Sequence, residues 1–338
     1  MMKQPGFFSL LKKVGLDGFI IALLGMIFLG WLIPQGANEW NGISLSQIAG
    51  YGVSLIFFFY GLRLDPVKLK AGLIHWKLHT IVHLSTFLLF PLLVLSTKWI
   101  FINTEYDSLW LGVFFLAALP STVSSSVVMV SIARGNMAAA IFNASISSLI
   151  GVIITPLWMK LEMDTSSAQF DLGDTILKLF IQVLIPVILG ILLHKKFGAA
   201  AERNKKLLKN MDQFIILMIV YTSFAESFLH HRFDSLTVPA LIGLTIAMIL
   251  LFIIAYFIIT AVCKAMKFSK ADTIAVVFCG SKKSLVHGTV MSKVLFGGSP
   301  IMGIILLPLM IYHAAQLVMA SIIARRLSER PDDNVINQ

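Results

Sequence analysis

Two adjacent lysines, Lys282 and Lys283, stand inside the apolar run Ala271–Phe296, flanked by Ser281, Ser284 and His287. In a helix they lie about 17 Å from the start of that run. A lysine at the centre of a bilayer costs roughly 2.5–3.5 kcal/mol on insertion scales. Consecutive helical residues point about 100° apart, so the pair needs two different sets of partners. Each lysine is open to three readings: a structural ion pair, packing against a carbonyl-rich helix end, or a place in a transport path. A second polar interruption reads Leu119-Pro120-Ser121-Thr122-Val123-Ser124-Ser125-Ser126. Proline removes a donor, and serine and threonine compete for backbone partners. A helix broken inside a membrane leaves free N–H and C=O groups, tolerated where they line a cavity or meet a ligand. An ordinary kink repaired by hydroxyls is the plainer alternative. The chemistry on offer is ion and dipole binding.

Weaker signals surround these two runs. Asn143 and Ser147 fall one turn apart on one face of the next apolar run. Glu226 reads as an interfacial acid paired with Arg232, or as a proton-coupling carboxylate. Arg134-Gly135-Asn136 makes a tight turn and is structural or a gate. His313 and Gln316, like His287, suit interhelical hydrogen bonding or solute contact. His75, His79 and His83 recur at i, i+4 and i+8, a spacing that zinc accepts. No cysteine or carboxylate is near them in sequence, so interfacial histidines are the expectation and no metal site is assigned. No His-Glu-x-x-His, Gly-x-Ser-x-Gly or Walker loop occurs, and neither an enzyme nor a cofactor is expected.

The elements that position these residues must be membrane helices. The 338 residues are 57% hydrophobic and 13% charged, with a mean hydropathy of +0.87. A soluble domain carries about 25% charged residues, and disorder needs high charge with few apolar residues. Two cysteines, Cys263 and Cys279, are too few for a disulfide framework. Ten stretches are long and apolar enough to span, at ~20 residues each. Spans 4, 5 and 9 are Ser108–Ala133, Gly135–Met159 and Ala271–Phe296, and span 7 runs from about Asp212 to His230. Of 27 Lys and Arg residues, 20 fall on one side of the ten spans and five on the other, Lys293 near the end of span 9 among them, while Lys282 and Lys283 lie deep within span 9. That bias accounts for the net charge of +10 without nucleic acid and places both termini in the cytoplasm. The exit Trp31-Leu32-Ile33-Pro34-Gln35-Gly36 offers no small-x-small cleavage site, so span 1 is read as retained. The six tryptophans read as an interfacial belt.

Ten spans divide into five plus five, and an odd-numbered unit repeated in tandem comes out inverted. The broken spans 4 and 9 occupy matching places, and spans 5 and 10 both carry a Pro-Leu pair, Pro156-Leu157 and Pro308-Leu309. The expected units are 15–161 and 173–326, with cytoplasmic tails 1–14 and 327–338.

Three segments carry a resemblance. They are Phe57-Phe58-Phe59-Tyr60-Gly61-Leu62-Arg63-Leu64 with His75-Trp76-Lys77-Leu78-His79; Ala133–Asn143; and Lys283-Ser284-Leu285 with Leu307-Pro308-Leu309-Met310-Ile311-Tyr312-His313. Over essentially its whole length the chain resembles the bile acid:sodium symporter family, solute carrier family 10. It is most similar to the seventh-member branch and its bacterial homologues. The resemblance implies an all-α membrane fold of ten helices in two inverted five-helix repeats. It implies a panel domain (spans 1, 2, 6 and 7) and a core domain (3–5 and 8–10), with spans 4 and 9 unwound and crossing at mid-membrane. In sodium-coupled members it implies sodium sites beside the crossing. There this chain departs, for Cys279-Gly280-Ser281-Lys282-Lys283-Ser284 holds no carboxylate. Lys283, or else Lys282, is expected to place its ammonium where sodium would sit, with Ser125, Ser126 and Asn143 as acceptors.

The expectation is a secondary transporter of a small organic, anionic solute working by alternating access, sodium-independent, with Pro120, Ser124, Ser125, Ser126, Asn143, Ser147, Ser281, Lys282, Lys283, Ser284 and His287 at the crossing. H+ and Na+ coupling both stay open. Half-helix N-termini and the lysines favour an anion there. The alternatives are a proton or cation antiporter on a related fold and a non-transporting membrane sensor. The expected setting is a bacterial inner membrane, with a lipid bilayer as solvent and no nucleic-acid partner. Oligomeric state is left open, a monomer being admissible.

Overall fold

The computed structural model describes residues 18–39, 44–64, 75–163, 177–178, 180–234, 236–297 and 299–329. Among them every regular element is helical. Seven helices are long and apolar enough to cross a membrane: α2 (Leu45–Arg63), α3 (Trp76–Leu95), α6 (Met137–Met163), α7 (Phe180–Arg203), α8 (Lys205–Leu229), α9 (Val238–Ala265) and α12 (Met302–Ser328). Five more run 9–15 residues: α1 (Gly18–Leu32), α4 (Asp107–Ala118), α5 (Ser124–Ile132), α10 (Lys270–Gly280) and α11 (Leu285–Phe296). Large apolar side chains stay exposed on the outer surface, among them Leu192 at 71%, Phe257 at 63% and Phe214 at 61%. Water does not tolerate a mantle of that kind; lipid does.

Local chemistry sets the helix starts. Ser44 and Gln47 form a reciprocal capping box at α2, the Ser44 hydroxyl accepting from Gln47 N–H at 3.1 Å. Thr237 caps α9 ahead of Pro239, and Ser269 caps α10 with Asp272 in its first turn. Packing relies on close backbone approach. A Cβ at Gly61 would stand 2.2 Å from the Val187 carbonyl, and one at Gly190 would stand 2.3 Å from the Phe58 carbonyl. Only paired glycines let α2 and α7 come this near. These helices pack on one another with α1 and α8, while α4 and α9 pack on α12. The buried aromatic centre, with Phe90, Phe114, Phe115, Phe278 and Tyr312, lies around the gaps between α4 and α5 and between α10 and α11.

Several expectations need correction. The tail 1–14, the starts of the two units at 15–17 and 173–176 and residues 330–338 lie outside the described residues, and α12 continues to Ser328, into the expected tail. Helix α8 begins at Lys205, so Asp212 lies about two turns inside it. Trp110 is buried, its indole donating to Thr97 Oγ1 at 3.1 Å and stacked on Phe114, and the Trp158 indole also turns inward, so these two leave the belt. Of the three histidines, His79 is buried on Asn143 Oδ1 at 3.1 Å while His75 is exposed. Among the described residues no group of three or more His, Cys, Asp or Glu side chains is placed to hold a metal.

Candidate functional site

The chain leaves α4 at Leu119 and re-enters helix at Ser124; it leaves α10 at Ser281 and re-enters at Leu285. These two gaps touch, Ser284 N–H donating to the Pro120 carbonyl at 3.0 Å. Proline ends α4 by removing a donor, and the last carbonyls of that helix need partners from elsewhere. Each finds one. Ala118 O accepts from Thr155 Oγ1 at 2.8 Å, while Ala117 O and Leu119 O accept from Lys283 Nζ at 2.6 and 2.9 Å. The negative end of the α4 dipole adds to the attraction for an ammonium. Across the gap, Ser121 N–H donates to Ser147 Oγ at 2.9 Å.

The third partner of Lys283 Nζ is the Thr86 carbonyl of α3, at 2.7 Å. Helix α3 widens to a π-turn over Ser85–Leu89, in which Phe90 N–H returns to Ser85 O. Pro91 follows and has no N–H. The carbonyls four and five residues before it, Phe87 and Thr86, therefore lose their helix donor in the α and π registers respectively. The Trp158 indole takes Phe87 O at 2.8 Å, and Lys283 takes Thr86 O. The Phe90 ring stands 4.4 Å from the same ammonium. Lys283 is thus fully buried, with one carbonyl for each of its three hydrogens.

The second gap is held mainly by α12. Gln316 Oε1 accepts Lys283 N–H and Gln316 Nε2 donates to Lys283 O, both at 2.8 Å, while Nε2 lies 3.0 Å from His313 Nδ1. Tyr312 OH donates to Ser281 O at 2.7 Å. Ser281 Oγ turns back to Val277 O, and Ser126 Oγ donates to Phe278 O at 3.0 Å. Ser284 caps α11, its Oγ accepting from His287 N–H and lying 2.9 Å from His287 Nδ1. Lys282, equally buried, reaches Ser125 Oγ at 2.8 Å.

Pro120, Ser121, Ser147, Lys283, Ser284 and Gln316 therefore meet in one network, with Lys282, Ser125, Ser126, Ser281, His287 and His313 around it. The expected acceptors of Lys283 are corrected: its ammonium holds three backbone carbonyls, Ser125 serves Lys282, Ser126 serves Phe278, and Asn143 binds His79 and Ala139 O. Ser124 is exposed and outside the network. An anion at Lys283 loses its support as well, since no hydrogen of that ammonium is left to give. Arg134 is exposed, at φ 53° in the α5–α6 turn, where Asn136 donates to Asp272 Oδ1 at 2.8 Å. Glu226 is half-buried and its charge acts on Lys293 of α11, whose ammonium meets Ser46 Oγ of α2; Arg232 is exposed.

Sequence reasoning missed Thr86, Phe90 and Tyr312, and it read His79 as interfacial where the structure buries it on Asn143. Pro91 inside an apolar run was the available signal for Thr86. It missed Arg63 and Asp212 as well, which pair at 3.0 Å between α2 and α8.

The chain matches a family model described as the SBF-like CPA transporter family over residues 17–329. It is 39% identical, over 94% of each chain, to an uncharacterized protein of Pseudomonas aeruginosa. It is 35% identical to the Escherichia coli protein that bears the name "Putative symporter YfeH", again over 94% of each chain. Against Sodium/bile acid cotransporter 7-B of Xenopus laevis it is 33% identical, over 93% of this chain and 92% of that one. With its apolar mantle and seven long apolar helices, the chain is a multi-pass integral membrane protein, and it belongs to the SBF-like CPA transporter family, the bile acid:sodium symporter family that its motifs resemble.

Proposed function

We propose that the protein is a secondary active transporter of an organic, anionic solute, that it works by alternating access, and that it needs no sodium. The observation that carries the last point is the seat of Lys283. Three carbonyl oxygens from α3 and the end of α4 converge within 2.9 Å of one ammonium. Carbonyl oxygens are also what a hard monovalent cation takes as ligands, and a covalently attached charge at their centre leaves such an ion neither room nor attraction. In this reading Lys283 is a fixed cation where sodium-coupled relatives bind a soluble one.

The same reading takes α1, α2, α7 and α8 as the panel and the remaining helices as the core, two inverted five-helix units with gaps at mid-membrane. Alternating access is then movement of core against panel. The Tyr60 OH bond to Ser145 O at 2.9 Å and the Lys293 contact to Ser46 cross that boundary and must open in each cycle. Positive-inside bias supports cytoplasmic termini and a plasma-membrane setting.

The test is thermal unfolding of the purified protein in sodium and in choline at equal ionic strength. The unmodified chain is expected to unfold at the same temperature in both. A specific sodium site at 100 times its dissociation constant stabilises by about 2.7 kcal/mol, and a shift of that size overturns the sodium-independent reading.

A further inference from the structure

We propose that the crevice between α2, α8 and α11 seats the anionic group of the solute, and that Arg63 takes that group when a proton on Asp212 releases its guanidinium. The proposal rests on the transporter reading and names the recognition chemistry within it. The crevice has a volume of about 40 Å³, with Arg63, Asp212, Tyr60 and His287 at its polar side and Phe57 and Val290 among its apolar walls. Lys283 has spent its three hydrogens, and Lys282 gives one to Ser125, so the gaps themselves offer an anion little. Arg63 has five N–H donors in a planar fork that matches carboxylate, sulfonate and phosphate groups.

The ion pair is incomplete. Arg63 reaches Asp212 Oδ2 at 3.0 Å and gives Nε–H to Phe59 O at 3.1 Å. Asp212 Oδ1 is buried and accepts from no described group. Arginine and carboxylate frequently pair through both oxygens. Here one oxygen stands ready for a proton. Protonation at Oδ1 cancels the charge that holds Arg63 and creates an O–H donor beside it. An incoming anion then accepts from the guanidinium and from Oδ1–H together. One proton, taken from water, enters with one negative charge, and on release both leave.

Among the described residues, the titratable groups that line the crevice with Asp212 are Arg63 and Tyr60 of α2 and His287 of α11; on α7, His194 binds the Leu62 carbonyl beside Arg63 at 2.8 Å. No side chain of α1 or α12, which also pack on α8, lines the crevice. His287 ties the crevice to the second gap through Ser284. The apolar walls suit a solute with an apolar body. At its present volume the crevice holds only the head of such a molecule, so the body enters as α11 parts from α2 and α8.

The experiment uses the full chain in lipid nanodiscs with taurocholate, whose sulfonate does not titrate in the range used, and the uncharged methyl ester of cholate as control. Equilibrium binding is expected to be about tenfold tighter near pH ~5.5 than near pH ~7.5. Asp212→Asn is expected to bind tightly and equally at both. Arg63→Gln is expected to bind taurocholate no better than the ester. That change strands a half-buried carboxylate, so the double variant Arg63→Gln with Asp212→Asn, which removes both charges, repeats the measurement in a chain without the imbalance. Undiminished binding by either Arg63 variant overturns the proposal. So does an Asp212→Asn chain that keeps the pH dependence, or the lack of any taurocholate binding. Arg63-dependent binding without entry into proteoliposomes overturns the transporter reading and leaves the site standing. Uptake that ignores Arg63 does the reverse.

Discussion

The two gaps have opposite chemistry. The first, after α4, is opened by Pro120 and presents oxygen atoms: the carbonyls of Ala117, Leu119 and Pro120 all face the second gap. The second, after α10, presents hydrogens: the Lys283 ammonium and the Ser284 N–H supply those three bonds. Similar local breaks would leave two sets of unmet groups to be solvated separately. Opposed ones satisfy each other, and the charge lies entirely on one side. A broken helix in a membrane is therefore stabilised by a partner of opposite hydrogen-bonding sense, and the lysine is the donor that lets one residue close three acceptors.

That asymmetry can be broken in order of size. Lys283→Ala strips three buried carbonyls of their partner, and hydrogen bonds to a charged group contribute about 1.5–3 kcal/mol each. The expected result is loss of most folded protein in detergent, read by size-exclusion chromatography, with any surviving fraction stabilised by sodium. Gln316→Leu removes both bonds to the Lys283 backbone and is expected to cost about 2–4 kcal/mol in thermal unfolding. Tyr312→Phe deletes one bond to Ser281 O and should cost about 1 kcal/mol. Lys282→Met keeps the stem and loses one bond to Ser125; a stability change within about 1 kcal/mol would separate it from its neighbour. Ser121 Oγ is buried without a partner among the described residues. Ser121→Ala is thus expected to be neutral or slightly stabilising, by less than about 1 kcal/mol. A large loss there would mean that the first gap does more than offer oxygens.

The gaps were legible because Pro120, the serine run and two lysines in an apolar stretch are signals of residue type. The seven long helices were legible from apolar length. What escaped was the identity of the acceptors. Hydroxyls and amides such as Ser126 and Asn143 stand out in a sequence, whereas every residue has a carbonyl, and only a register change at Pro91 decides that Thr86 O is free. His79 was misread for a related reason, since its partner Asn143 lies on another helix 64 residues away. Asp212 looked like a boundary residue because Lys205 and Lys206 ahead of it disguise the first turns of α8. The Arg63–Asp212 pair spans 149 residues and leaves no local pattern.

The π-turn of α3 has a mechanical consequence. Its two successive open carbonyls are gripped from different sides, one by the Trp158 indole of α6 and one by the ammonium from the second gap. Rotating or sliding α3 by a single residue would release both grips at once. The helix therefore behaves as a keyed strut. It transmits displacement between α6 and the α10–α11 hinge and does not absorb it, so these three pieces travel together or not at all.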